Sequence, residues 1–416
     1  MRVLSLFDGM ACGMLAMLSA EIGGVERYVA YEIDKYAVQT SSHNFPMIEH
    51  KGDVFKADFK EYEGFDWLVG GSPCTYWSIA QTKNRETTAS GLGWELFSQY
   101  VRALRDVKPK YFIYENNKSM SAQIRASISE TFGFEPICIN SALVSAQNRQ
   151  RLYWVGIRQE DGTYKKADIA QPEDRGIMLK DILETEGGWQ VENDKAFCLC
   201  GGHVGTARDY FKKHQTNIAF KKLADPIRVG TMPSPDGTIK GGQAMRIYDV
   251  DAKAVTLKGQ GGGSGAKTGL YAVPVECFRV KEATKQGYTD IKLGGCVDMS
   301  MPNSKTRRGR NMDDKSNCLQ TTCEFYQYCG TVKTPIYEVK DGMITVKGKQ
   351  YPIKLVDGYY IIRKLTVREC MRLQTVPEWY EFPVSNSQAY KMLGNGWTVE
   401  VIAHLIKSVM KEINND

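Results

Sequence analysis

The stretch Met1-Arg2-Val3-Leu4-Ser5-Leu6-Phe7-Asp8-Gly9-Met10-Ala11-Cys12-Gly13 decides the fold. Its apolar run, Val3 to Phe7, reads as a strand, and the two glycines that follow let the backbone turn tightly before a helix begins. In doubly wound α/β proteins this turn, at the carboxyl end of the first strand, is where a ligand meets the sheet. Working outward, short apolar runs alternate with amphipathic stretches as far as Ile157, the rhythm of strands alternating with helices. The strands expected are Val3 to Phe7, Tyr28 to Ile33, Trp67 to Gly70, Tyr111 to Tyr114, Ile137 to Leu143 and Leu152 to Ile157. Leu96, Phe97, Tyr100, Val101 and Leu104 recur at helical spacing and predict a helix over one face of that sheet.

The 416 residues, 42% hydrophobic and 25% charged, suffice for two domains. Residues 1–188 are expected to form the first. Beyond about Gly188 the texture changes to glycine-rich loops (GGHVG, GQGGGSGAKTG), short strand-like runs and a basic string, Lys305, Arg307, Arg308 and Arg310. A loop-rich second domain is expected over 189–362. Helical periodicity returns at Thr366 to Leu373 and Val399 to Met410, so 363–387 reads as a connecting segment and 388–416 as a return to the first domain. No apolar run approaches the roughly 20 residues of a membrane span, and the start lacks a signal-peptide cleavage signature, so a cytoplasmic protein is expected. The eleven cysteines are odd in number and include no CxxC pair, which favours reduced thiols and leaves one available as a nucleophile. Cys198, Cys200, His203 and His214 do not follow a standard zinc spacing, and no metal is expected. A formal charge of +6 leans toward a polyanionic partner.

Three strand ends carry chemistry. Glu32, at the end of the second strand, is placed to bond ribose hydroxyls, and Asp53, after Gly52, to accept from an adenine amino group. The first turn is not the GxGxxG of pyrophosphate binding, so an adenosyl ligand is favoured over a nicotinamide cofactor. Gly70-Gly71-Ser72-Pro73-Cys74 sets a thiol just past the third strand, and Tyr114-Glu115-Asn116-Asn117 brings a carboxylate out on the same edge. A raised pKa would let Glu115 donate a proton. In Gln147-Asn148-Arg149-Gln150-Arg151, alternation directs Gln147, Arg149 and Arg151 to one side if the stretch is extended. Taken singly, Cys74 also reads as a buried structural thiol, Glu115 as a solvated carboxylate, and the arginines as a charged strand entry.

Together, and in this order, FDGMACG (7–13), YEIDKYA (31–37), GDV (52–54), GGSPC (70–74), ENN (115–117), QNRQR (147–151), RKLTVRECMRLQTVP (363–377) and QAYKMLGNGWTV (388–399) resemble the cytosine-C5 DNA methyltransferases. The resemblance implies a Rossmann-like S-adenosylmethionine-dependent methyltransferase domain with an inserted target-recognition domain. It implies that Cys74 adds to cytosine C6, that Glu115 engages N3 and the exocyclic amine, that Arg151 holds the base, and that Arg149 supports the same region. Methyl transfer to C5 is then followed by loss of the C5 proton and expulsion of the cysteine, on a base flipped out of double-stranded DNA. S-adenosylmethionine, leaving as S-adenosylhomocysteine, is expected against Phe7, Asp8, Gly9, Gly13, Glu32, Ile33, Asp53, Val54, Ser72, Pro73, Leu96, Asn395 and Trp397. DNA contacts are expected at Ser78, Thr256, Arg307, Arg308 and Arg310, with Thr256-Leu257 resembling the threonine-leucine element of the family's recognition domains. Tyr76 to Gly93, rich in Ser, Thr and Gly, reads as a mobile loop closing on DNA. The chain departs from the family pattern at Thr75, where glutamine is common, at Asn117, where valine is common, and in the placing of Asp8 and Cys12 among the first glycines. A monomer is the default expectation, a cognate restriction endonuclease a further partner. The rival readings are a tRNA cytosine-C5 methyltransferase of the same fold and a catalytically silent DNA-binding relative.

Overall fold

The structure, a computed structural model, describes residues 1–78, 85–184, 226–233, 237–239, 245–257, 269–275, 278–291, 296–298, 325–327, 336–363 and 365–415. The basic string from Lys305 to Arg310 and the Cys198, Cys200, His203 and His214 set lie outside the described residues. In chain order the first elements are β1 (Arg2–Leu6), α1 (Cys12–Ala20), β2 (Arg27–Tyr31), α2 (Lys35–Asn44), β3 (Glu49–His50), β4 (Trp67–Gly70), α3 (Leu92–Val107), β5 (Tyr111–Asn117), α4 (Ala122–Phe132), β6 (Ile137–Asn140), β7 (Gln150–Arg158) and β8 (Tyr164–Lys166). They form one sheet of order β3-β2-β1-β4-β5-β7-β6, with β8 added to β7. The strands from β3 to β5 run parallel, and β7 runs antiparallel to both β5 and β6. The direction of strand succession reverses between β1 and β4, which puts the turns after these two strands side by side at the sheet's carboxyl edge. β3 and β8 escape the sequence reading because both are short, polar edge strands with no apolar alternation.

The sheet is buried on both faces, as near-continuous apolar strands require. On one face lie Leu4, Val29, Leu68, Phe112 and Tyr114 with α3, whose Phe97, Tyr100, Ala103 and Val107 recur at helical spacing and are buried. The α3 side chain of Tyr100 donates to the backbone oxygens of Leu68 and Ile113, fixing the helix against β4 and β5.

The first unit consists of residues Met1–Ile182, Lys253–Lys267 and Thr366–Asp416, and the second of Leu183–Ala252 and Thr268–Leu365. Besides shifts of three to six residues at its boundaries, and residues 366–387 falling in the first unit, the division differs from the sequence expectation in the short strap around Thr256, which belongs to the first unit. Its physical cause is a set of buried bonds: Lys253 Nζ donates to the oxygens of Ala142, Ser145 and Ile177, and the Leu257 amide donates to Gln147 Oε1.

The second unit is richer in sheet than its glycine content suggests. It carries β9 (Arg228–Thr231), β10 (Arg246–Asp249), β11 (Leu270–Val275), β12 (Phe278–Lys281), β13 (Tyr288–Ile291), β14 (Cys296–Asp298), β15 (Phe325–Gln327), β16 (Ile336–Lys340), β17 (Met343–Val346), β18 (Lys349–Pro352) and β19 (Gly358–Arg363). Seven of these form a sheet of order β18-β17-β16-β19-β11-β10-β9 around Val229, Ile247, Val339, Ile344 and Tyr360, while β12–β13 and β14–β15 pair separately.

The chain then completes the first unit with α5 (Val367–Leu373), α6 (Asn386–Asn395) and α7 (Val399–Asn415). The Thr366-x-x-Glu369 pattern starts α5 as a capping box, each side chain taking the other's backbone amide. Helix α1 is apolar nearly all round and must be covered on every side. Helix α7 packs along it with Val401, Ile402, Leu405, Ile406 and Val409 fully buried.

Candidate active site

The turn after β1 is built from three departures from ordinary backbone at alternate residues. Phe7, Gly9 and Ala11 all have φ near +60°, and α1 starts on the last of them. Glycine at position 9 adopts this freely, and its amide is held at 2.9 Å by Glu32 Oε2. The other Glu32 oxygen accepts the amides of Ile33 and Asp34, so this carboxylate orders the ends of both β1 and β2. Asp53 caps a short 3₁₀ turn by accepting the Phe55 amide at 3.0 Å. Close to these carboxylates in the chain, Ile33 and Phe55 hold apolar side chains in solvent, 79% and 46% exposed. Phe7 and Leu96 pack at the edge of the core below, and Val54 is buried. Two acidic acceptors flanked by exposed apolar groups, without a phosphate-binding glycine run, suit a sulfonium nucleoside.

Other residues expected around that ligand have structural duties. Gly13 lies inside α1 where an added Cβ would stand 2.5 Å from the Tyr28 hydroxyl. Asp8 is buried and accepts from that same hydroxyl at 2.7 Å, and burial raises its carboxyl to about 6. Ser72 is buried, its hydroxyl 2.7 Å from that of Tyr114, while Pro73 is exposed. Asn395 ends α6 as an exposed residue.

Cys74 opens a 3₁₀ turn just past β4. Pairing of β4 with β5 sets Gly70 opposite Tyr114, so the next residues along each strand, Gly71 and Glu115, adjoin. A Cβ on Gly71 would stand 2.8 Å from both the backbone oxygen and Oε2 of Glu115, so only glycine leaves room for this carboxylate. Along β5 and β7, Glu115 faces Tyr153 and Asn117 faces Arg151, which puts Glu115 and Arg151 on one face. The Arg151 Nε lies 3.1 Å from Glu115 Oε1, both side chains being largely shielded. The Trp397 indole N–H donates to Glu115 Oε2 at 3.0 Å. Trp397, expected beside the cofactor, thus has its ring nitrogen on the carboxylate.

Arg149 goes elsewhere, because residues 147–149 precede the strand. It is buried and donates to the backbone oxygens of Leu257, Gly394 and Gly396 at 3.2, 3.1 and 2.9 Å. Gln374, which sequence reasoning passed over, works beside it: its amide nitrogen donates to Leu393 and Gly396, and its oxygen accepts from the Thr398 hydroxyl. Between them they fix the turn that carries Trp397. The signal for Gln374 was its place inside the RKLTVRECMRLQTVP motif; polar residues in an apolar helix end leave no periodicity to read.

The Thr256 hydroxyl donates to the Asn148 oxygen at 2.6 Å, making Thr256 part of the strap. Ser78 follows the Cys74 turn. The stretch from Tyr76 to Gly93 is not loose throughout, as the sequence suggested. Glu86 accepts the indole N–H of fully buried Trp77 at 2.9 Å and the Gly93 amide at 3.1 Å, and Arg85 donates to the oxygens of Trp77 and Ser119. Among the described residues no group of His, Cys, Asp and Glu is arranged to hold a metal ion, and no helix is long and apolar enough to cross a membrane.

Among solved structures, the Dnmt2 methyltransferase of S. pombe matches with a TM-score of 0.53 at 14% identity over 99% of both chains, a likeness of fold. This sheet order, reversing between β1 and β4, is that of a Rossmann-like domain. The orphan methyltransferase M.SPRI of Bacillus phage SPR is 27% identical over 463 aligned residues, 99% of this chain and 97% of that one. The type II methyltransferase M.HhaI of Haemophilus parahaemolyticus is 27% identical over 308, covering 70% and 84%. The chain belongs to the C-5 cytosine-specific DNA methylase family, whose model matches residues 1–217 and 266–411.

Proposed function

We propose that this protein methylates carbon 5 of a cytosine flipped out of duplex DNA, through a covalent bond between Cys74 and carbon 6. The observation that carries the reading is the Glu115 carboxylate, shielded and held from two sides, on the sheet edge next to the strand that leads into Cys74. Cytosine C5 is a weak nucleophile until a thiolate adds to C6. The Cys74 sulfur bonds to C6 as Glu115 meets N3 and the exocyclic amine, so electron density moves onto C5. Arg151 holds the base against Glu115. Glu32, Asp53, Ile33, Phe7 and Leu96 would hold S-adenosylmethionine, whose sulfonium methyl would bond to C5 as the S–CH3 bond breaks and S-adenosylhomocysteine leaves. Loss of the C5 proton to a base then breaks the C6–sulfur bond and restores both the ring and the thiolate. In a stacked duplex C6 is covered, which is why the base must leave the helix.

Two other thiols are poorly suited to the attack: burial pushes Cys12 up to about 12 and raises Cys138. M.SPRI, which matches nearly end to end, is named an orphan enzyme, and this favours action without a partner endonuclease. The test is transfer of tritiated methyl groups to unmethylated mixed-sequence duplex DNA and, separately, to tRNA, with Cys74→Ala as control. Label in DNA that vanishes in Cys74→Ala is expected. Label in tRNA alone would overturn the DNA reading.

A further inference from the structure

We propose that Trp397 is a positioning residue for Glu115: its indole N–H holds Oε2 and thereby sets the plane in which the carboxylate meets the base. The inference rests on the proposed role of Glu115.

Three observations converge on it. The bond is 3.0 Å long and joins residues 282 positions apart, so the C-terminal segment reaches across the sheet edge to make it. Its two ends are separately fixed. Glu115 is confined by Gly71 beneath it and Arg151 beside it. Trp397 follows Gly396, whose oxygen accepts from both Arg149 and Gln374 and whose amide donates to Met392 at 2.7 Å; a Cβ at position 396 would meet Met392 O at 3.0 Å and Cys12 Sγ at 3.1 Å. Finally, the donor is chemically apt. An indole N–H gives one hydrogen bond, accepts none and carries no charge, so it orients a carboxylate without taking or giving up a proton. Arg151, by contrast, has further N–H groups to turn toward an incoming base while its Nε stays on Oε1. Trp397 therefore orients Glu115 while Arg151 can serve both carboxylate and base.

The test uses the full-length protein with Trp397→Phe, and with benzothienylalanine at position 397, which replaces the N–H by sulfur in a ring of the same shape. The substrate is unmethylated mixed-sequence duplex DNA labelled with [5-³H]cytosine. Exchange of tritium with water in the absence of S-adenosylmethionine reads C6 addition alone, and release in its presence reads turnover. Both variants should slow exchange and turnover by about 10- to 100-fold, the scale of loss for a misplaced catalytic group, with KM for S-adenosylmethionine within about threefold of the parent. Glu115→Gln combined with Trp397→Phe should be no slower than Glu115→Gln alone, because Trp397 acts through Glu115. Parental exchange rates with benzothienylalanine, a loss confined to KM for S-adenosylmethionine, or additive losses in the double variant would each overturn the inference while leaving Glu115 in its role. A Glu115→Gln protein that exchanges tritium at the parental rate would overturn both.

Discussion

At the scale of single residues, the site is governed by close approach. Gly71 has no side chain because Glu115 occupies the space a Cβ would need, 2.8 Å away. Gly71→Ala should lower kcat by about 100-fold through displacement of that carboxylate, and should also lower the thermal transition because the added Cβ meets the Glu115 backbone oxygen; steady-state kinetics beside calorimetry would check both. Asp8 offers a second handle. Burial raises its carboxyl from 3.8 to about 6, so the folded chain binds this proton more tightly than the unfolded chain does. Its contribution favours folding below 3.8 and is lost as pH rises through about 6. Asp8→Asn, neutral throughout, should gain stability relative to the parent across that window and then level off, by at most about 3 kcal/mol. Urea midpoints from about pH 4 to 8 would show this, and a pH-independent difference would refute it. The alternation expected over 147–151 fails at Arg149, which precedes β7, but the places of Cys74 and Glu115 at strand ends were readable in the sequence. The Trp397 bond was not, because no local pattern reports a contact between residues so far apart in the chain.

Elements show what local pattern can and cannot reveal. Helix α3 was legible from its apolar spacing and β1 from its apolar run, whereas the bonds made by Arg85 and Glu86 within the Tyr76 to Gly93 stretch were not. Its Ser, Thr and Gly content reads as a free loop, yet one carboxylate, Glu86, closes its base onto Trp77 and Gly93. Glu86→Ala strips a buried indole of its acceptor, which costs about 1–3 kcal/mol of local stability. Trypsin cleavage at Arg85 should accelerate about tenfold or more as local opening becomes easier; an unchanged rate would mean that Glu86 does not hold the segment. The strap with Thr256 was assigned to the wrong unit for a related reason. Chain continuity suggested the inserted domain, but Lys253, whose burial lowers its pKa, spends its ammonium on three backbone oxygens of the first unit.

For the whole molecule, the first unit is discontinuous: the fold begun at Met1 is completed by residues from Thr366 onward. Five large side chains of α7 are fully buried, and at about 2 kcal/mol each they contribute as much as the entire stability of a typical domain. A chain ended at Leu365 should therefore show no cooperative unfolding transition of the first unit by calorimetry, even though β1 to β8 are all present. The family resemblance implied a catalytic domain completed by the C-terminal helix, and the structure adds that Trp397, in the last motif QAYKMLGNGWTV, meets Glu115 of β5. The account as a whole turns on Cys74. Duplex DNA bearing 5-fluorocytosine has no C5 proton to lose after methyl transfer, so the enzyme cannot expel its nucleophile. Incubated with this DNA and S-adenosylmethionine, the parent protein should give a denaturation-resistant adduct that peptide mass spectrometry assigns to Cys74, absent in Cys74→Ser; no adduct, or one on another residue, would contradict the mechanism.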